Sequence, residues 1–178
     1  MTSGCGSRLS RDYPPAGDAI GYRAREHPLC MELPEPITVV LADDQRAYRE
    51  GLARAITRHC RLELVAVARD GDEAFDAIES LEPDVALVDV RMSRMEGTAV
   101  CAELRRRHPE MGTRLILMSA HDGSALVDHA REAGADGYVA KDHSRREICE
   151  ALVQAAQRDR PPAATAPADS ARPAPTRV

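Results

Sequence analysis

The sequence predicts an α/β protein built on a doubly wound parallel sheet, and three observations predict it. Between residues 36 and 157, short β-branched runs alternate with amphipathic stretches, the pattern of parallel strands joined by right-handed helical crossovers. Three of those runs, 37–41, 84–88 and 114–118, are near-continuously apolar, as strands covered on both faces must be. Acidic, hydroxyl and lysine side chains stand where strands end, at the sheet edge where open α/β folds bind ligands.

The elements follow in order. A strand at 37–42 runs into Asp43 and Asp44. The helix at 46–58 buries Leu52 and Ile56 with Ala53 and Ala55 nearby, leaving Arg46, Arg49, Glu50, Arg54 and Arg58 for solvent or partners. A strand at 62–68 and a helix at 72–81 precede the strand at 84–89, which closes on Asp89. In the helix at 96–107, Arg105, Arg106 and Arg107 read as a solvated end, where cations suit the negative dipole terminus. The strand at 114–119 closes on Ser119, and the helix at 123–133 stops before Gly134, which can take the left-handed cap conformation. The last strand, 137–140, leads into Lys141, and the spacing of Ser144 and Glu147 is that of a capping box opening a helix at 144–156. The three apolar runs are the central strands.

Composition changes on either side of this unit. Residues 1–35 are rich in Gly, Pro and Arg and read as an irregular or disordered arm, while 158–178 form a Pro/Ala-rich tail. The domain is therefore placed at 36–157. A net charge of −5 argues against a broad nucleic-acid footprint. Cys5, Cys30, Cys60, Cys101 and Cys149 are scattered, without zinc or redox spacing, and read as reduced thiols. No apolar run is long enough for a membrane span and no leader is evident, so a cytoplasmic location is expected.

The strand-end residues define the chemistry. Neither G-x-G-x-x-G nor G-x-x-x-x-G-K-[ST] follows the first strand, and G-x-S-x-G and His-Glu-x-x-His are both missing. What converges is Asp43, Asp44, Asp89, Ser119 and Lys141: three carboxylates, a hydroxyl and an ammonium. Carboxylates brought together repel unless a cation intervenes, and Mg2+ suits a shallow, wet site of carboxylate oxygens. With the metal bound and Lys141 opposite, Asp89 is placed to act as nucleophile on phosphorus and form an aspartyl phosphate.

These residues carry a specific resemblance. Residues 37 to about 156 resemble the receiver domain of two-component response regulators. Ala42-Asp43-Asp44 is similar to the family's acidic pair, Val88-Asp89-Val90-Arg91-Met92 to its phosphorylation strand and loop, Leu117-Met118-Ser119-Ala120-His121 to its hydroxyl strand, and Gly137-Tyr138-Val139-Ala140-Lys141 to its lysine strand. The resemblance implies a flavodoxin-like five-stranded sheet of order 2-1-3-4-5 with five helices. It implies phosphorylation of Asp89 by a sensor histidine kinase or a histidine phosphotransfer protein, with slow autodephosphorylation and no other enzymatic activity. It also implies Mg2+ held by Asp44, Asp89 and the backbone carbonyl of Arg91, with Asp43 acting through a metal-bound water. Ser119 and Tyr138 would be the switch residues, changing a face made of the helix at 123–133, the strand at 137–140 and the helix at 144–156.

Departures and partners complete the expectations. Met92-Ser93 stands where the family usually has Met-Pro, and Glu96-Gly97 where it has Asp-Gly, so the loop is expected to be looser. Asp44-Gln45, Arg49-Glu50-Gly51-Leu52 and Lys141-Asp142 resemble the subfamily that carries a LuxR-type helix-turn-helix output; no such output follows here. Arg91 and His121 border the family's path for hydrolytic water. One reading is a stand-alone switch that acts on a downstream protein partner or as a homodimer, touching neither nucleic acid nor membrane. Alternatives are an output-less transcription regulator that dimerises with DNA-binding relatives, and an Asp89-nucleophile phosphatase. The last needs a second acid two residues on, where Arg91 stands.

Overall fold

The computed structural model describes residues 35–120 and 124–157, the side chains of 124–126 excepted. The expected tail, the arm up to residue 34 and His121 therefore lie outside the described residues. Ten elements alternate: β1 Ile37–Ala42, α1 Arg46–Arg58, β2 Leu62–Ala68, α2 Gly71–Leu81, β3 Val85–Asp89, α3 Gly97–Arg107, β4 Arg114–Ser119, α4 Ser124–Glu132, β5 Gly137–Ala140 and α5 Arg145–Gln157. All strand pairs are parallel, and the order is β2-β1-β3-β4-β5. The three apolar runs are indeed the central strands.

The two-residue period of a strand distributes each run between two cores. Val39, Leu41, Val85, Leu87, Ile116 and Met118 face Leu52, Ala53 and Ile56 of α1 and Ile148, Cys149, Leu152 and Val153 of α5. Val40, Ala42, Ala86, Val88, Leu115 and Leu117 face Phe75 and Ile78 of α2, Val100, Cys101 and Leu104 of α3 and Ala130 of α4. β2, at an edge, is only partly buried, and a register shift opposite Val39/Val40 leaves Val65 as the extra, exposed residue. Such a bulge blunts an edge that could otherwise recruit strands.

Polar side chains set the element ends. Asp84 precedes β3 rather than opening it, because its carboxylate accepts from Thr38 N–H and Oγ1 at 2.8 and 2.7 Å while its own N–H donates to Thr38 Oγ1 at 2.9 Å. α2 begins one residue before its expected start because Asp70 caps it, accepting from Glu73 N–H at 2.9 Å. Ser144 and Glu147 form the reciprocal capping box, at 2.8 and 3.3 Å. Gly134 takes φ +83°, the left-handed conformation expected of it.

One expectation needs correction. Arg105 is no solvated helix end: its guanidinium reaches Gly134 O, Met111 O and Thr113 O at 3.0–3.2 Å and pairs with Asp136 at 2.5 Å. Asp136 in turn accepts from Leu115 N–H at 2.8 Å, so this cluster ties α3 to the start of β4 and β5, the end of the sheet away from Asp89. Arg106 and Arg107 do face solvent, paired with Glu103, and Arg107 also lies over the Phe75 ring at 4.8 Å. Among the described residues no helix is long and apolar enough to cross a membrane.

Candidate functional site

The site lies at the carboxyl edge of the sheet, where β1, β3, β4 and β5 end side by side. Asp43 continues β1 just past its last pair, its N–H donating to Ala68 O at 3.2 Å. Local bonds fix Asp43: Gln45 N–H donates to carboxylate Oδ1 at 2.7 Å, and Arg49 Nη1 holds the backbone, donating to the Asp43 carbonyl at 2.6 Å. Asp43 is fully buried and Asp44, next along, is exposed. Asp89 ends β3, nearly buried, and accepts from Arg91 N–H at 3.3 Å.

Lys141 joins the two buried acids. Its Nζ stands 2.7 Å from Asp43 Oδ2 and 2.7 Å from Asp89 Oδ2. The Lys141 N–H donates to Ser119 O at 2.7 Å, which sets the ends of β4 and β5 beside each other. Ser119 is buried and follows Met118, the register partner of Asp89. Asp43, Asp44 and Asp89 each offer a carboxylate oxygen, and the three lie within 4.8 Å of one another. The structure thus brings together Asp43, Asp44, Asp89 and Lys141, residues from three separate stretches of the sequence. Tyr138 lies further out, half-buried on β5 against the α2/α3/α4 core.

Charge dictates what this arrangement can hold. Three carboxylates and one ammonium leave two formal negative charges in a largely buried edge, which a divalent cation would cancel. Asp43 Oδ2 touches the Lys141 ammonium, yet outside hydrogen-bonding angles, so a buried oxygen is left without an aligned donor. An all-oxygen donor set with a spare buried lone pair fits a hard cation such as Mg2+. Burial raises the Asp89 carboxyl above the ordinary range, against the pull of Lys141. For Lys141 burial acts to lower the ammonium, but its contacts with Asp43 and Asp89 outweigh that and raise it. The ammonium therefore stays charged between the two acids.

The loop after Asp89 is tied rather than loose. Val90 N–H donates to Met118 O at 2.8 Å, Gly97 N–H to Val90 O at 2.9 Å and Gly71 N–H to Ser93 O at 3.2 Å. Arg94, in the left-handed region at φ 68°, pairs with Asp70 at 3.2 Å and Asp72 at 3.5 Å. Gly97 is required by space, since a Cβ there would collide with the Asp89 carbonyl oxygen. These contacts replace the stiffness a proline at position 93 would give.

Tyr48 and Arg94 are not singled out by the sequence motifs, and Gln45 and Arg49, which do stand in the subfamily-like stretches, support Asp43 directly rather than being left to solvent. The Tyr48 ring lies under Lys141 Nζ, 4.9 Å from centroid to nitrogen, and its hydroxyl donates to Lys141 O at 3.3 Å. The available signal was helical spacing: positions 45, 48, 49 and 52 lie on one face of a helix that starts at the site.

Comparison with known proteins agrees with this geometry. A family model for the response regulator receiver domain matches residues 39–153. The transcriptional regulatory protein NarL of Mycobacterium tuberculosis is 41% identical over 124 residues, covering 70% of this chain and 56% of that protein. DegU of Brevibacillus brevis, also named a transcriptional regulatory protein, is 32% identical over 121 residues, covering 68% and 50%. The chain thus spans about half the length of the curated relatives it matches. Among solved structures, the signal receiver domain of a NarL from Mycobacterium tuberculosis superposes with TM-score 0.66 at 41% identity, covering 69% of this chain and 98% of that one. A DNA-binding response regulator of the LuxR family from Staphylococcus aureus gives TM-score 0.63 at 27% identity, covering 67% and 98%. Relatives so named lend no support to the expectation that nucleic acid plays no part.

Proposed function

The chain belongs to the response regulator receiver family, and on that premise we propose that it is a phosphoacceptor switch with Asp89 as the acceptor. The observation that carries this is the Lys141 ammonium set 2.7 Å from both Asp43 and Asp89, with a third acid, Asp44, alongside. The donor is a phosphohistidine on a sensor histidine kinase or a histidine phosphotransfer protein. An Asp89 carboxylate oxygen attacks phosphorus, the P–N bond breaks, and the imidazole leaves with that electron pair and takes up a proton. Asp44, Asp89 and the Arg91 carbonyl would hold Mg2+, with Asp43 acting through a water. Bound there, the ion supplies positive charge that neutralises the oxygens of the transferring group. Lys141 pairs with one phosphoryl oxygen and the Ser119 hydroxyl donates to another.

The output follows from the same contacts. Drawing Ser119 and Lys141 toward a phosphoryl group loads the ends of β4 and β5, and Tyr138 on β5 couples that pull to the face of α4, β5 and α5. Phosphorylation biases an existing equilibrium of that face. The names of the relatives favour a transcriptional output, reached through that face by homodimerisation or by pairing with DNA-binding regulators. A phosphatase role is disfavoured by Arg91, which stands where a general acid would be required.

Intact-mass measurement after incubation with acetyl phosphate and Mg2+ tests the proposal. One phosphate adduct is expected on the wild type, with none in EDTA and none on Asp89→Asn. A wild type that takes no phosphate defeats it. Size-exclusion chromatography of the same samples reads the output, an earlier elution on phosphorylation supporting homodimerisation.

A further inference from the structure

Lysine is a flexible point charge on a four-carbon stem, so an ammonium that must meet one acceptor needs something to hold it. Lys141 is held from outside the acidic cluster by a residue the phosphoacceptor chemistry does not use. Tyr48 of α1 places its ring under Nζ, 4.9 Å from the centroid, and its hydroxyl against the Lys141 carbonyl at 3.3 Å. The same side chain thus grips both ends of Lys141, ring to ammonium and hydroxyl to backbone. One helical turn on, Gly51 is packed under the Arg145 guanidinium, 2.5 Å from where a Cβ would sit, which seats the start of α5 on the same stretch of α1. Tyr48 itself is half-buried.

We propose that Tyr48 is a positioning residue for Lys141: its ring fixes the ammonium where it meets Asp43 and Asp89, and so sets how fast Asp89 takes and loses phosphate. This rests on the reading of Asp89 as phosphoacceptor. A cation over an aromatic face gains from the ring quadrupole, most when both are shielded from water, and the shielding here comes from burial of the Lys141 side chain, 7% exposed. The ring, more than the hydroxyl, supplies the grip, because the 3.3 Å hydroxyl contact is long for an O–H···O bond.

Two variants separate the parts. Tyr48→Phe keeps the ring and removes the hydroxyl; Tyr48→Leu removes the ring and keeps an apolar side chain. Initial phosphorylation rates with acetyl phosphate at saturating Mg2+ are expected to stay within about twofold for Phe and to fall roughly five- to tenfold for Leu, the size a shielded cation–π contact supports. Proton NMR gives a second readout independent of phosphate: the Lys141 ε-methylene is shifted upfield by the ring in wild type and Tyr48→Phe, and returns to its ordinary position in Tyr48→Leu. Rates equal in Leu and wild type, equal losses in Phe and Leu, or a wild-type Lys141 resonance without upfield displacement overturn the proposal. A wild type that takes no phosphate defeats the phosphoacceptor reading instead, while the resonance still decides where Tyr48 holds Lys141.

Discussion

Replacing Lys141 by methionine removes the cation that separates two buried carboxylates while keeping the apolar stem. The Lys141 side chain is 7% exposed, that of Asp43 0% and that of Asp89 4%, so water cannot take over the lost compensation. Removing one member of a buried ion pair costs about 3–5 kcal/mol, because the remaining charges stay desolvated. In a domain of this size, each kcal/mol corresponds to roughly 3–5 °C, so the melting temperature in EDTA should fall by about 10–20 °C. Saturating Mg2+ should then recover most of that loss, since a divalent ion restores the missing positive charge; binding at about 100 times its Kd alone contributes about 2.7 kcal/mol. The wild type should gain less from Mg2+ than the variant does. Urea and thermal unfolding, each with EDTA and with Mg2+, measure the four stabilities. A loss below about 1 kcal/mol in EDTA, or a loss of equal size with and without Mg2+, would show that Lys141 does not compensate the two buried acids.

Three further perturbations probe separate parts. Burial raises the folded-state pKa of Asp89, so the folded chain binds more protons than the unfolded one between the ordinary carboxylate value of about 4 and the raised value, and stability falls as pH rises through that window. Asp89→Asn should therefore raise the melting temperature in EDTA at pH 7, and the gain should shrink as pH drops toward 4; destabilisation at pH 7 would contradict the electrostatics. Gly97→Ala pushes a Cβ into the Asp89 carbonyl and should cost about 1–3 kcal/mol in urea titrations and slow phosphorylation of Asp89, whereas an unchanged midpoint would show that the loop yields freely. Arg105→Ala takes the nearer of two arginines from Asp136, Arg114 staying 3.9 Å away, and a donor from each of three carbonyls, and should cost about 2–4 kcal/mol, while Arg107→Ala on the solvated side should cost under about 1 kcal/mol; equal losses would return Arg105 to a surface role.

The contrast between Arg105 and Arg107 shows where sequence pattern stops. The two sit in one run of three arginines, and only the return of the chain at Asp136 distinguishes the buried one from its neighbours. The same holds for Tyr48, whose role is set only when the end of β5 brings the Lys141 ammonium over its ring. Asp84 reads as strand because its neighbours are apolar, though its carboxylate is committed to Thr38 at the far edge. What pattern does carry is the continuous apolar run that marks β1, β3 and β4 as strands covered on both faces, and the strand-end placement of Asp43, Asp89, Ser119 and Lys141. Periodicity and element ends are local properties; salt-bridge partners and stacking are properties of the assembled sheet.

Whether Asp89 itself carries the phosphate is decided by borohydride reduction. Hydride converts an acyl phosphate to an alcohol with release of phosphate, and leaves a free carboxylate untouched. After treatment with acetyl phosphate and Mg2+, peptide sequencing by mass spectrometry should find homoserine at position 89 and nowhere else. Homoserine at position 43 or 44, or intact aspartate at 89 in a chain that has gained phosphate, would contradict Asp89 as the carrier.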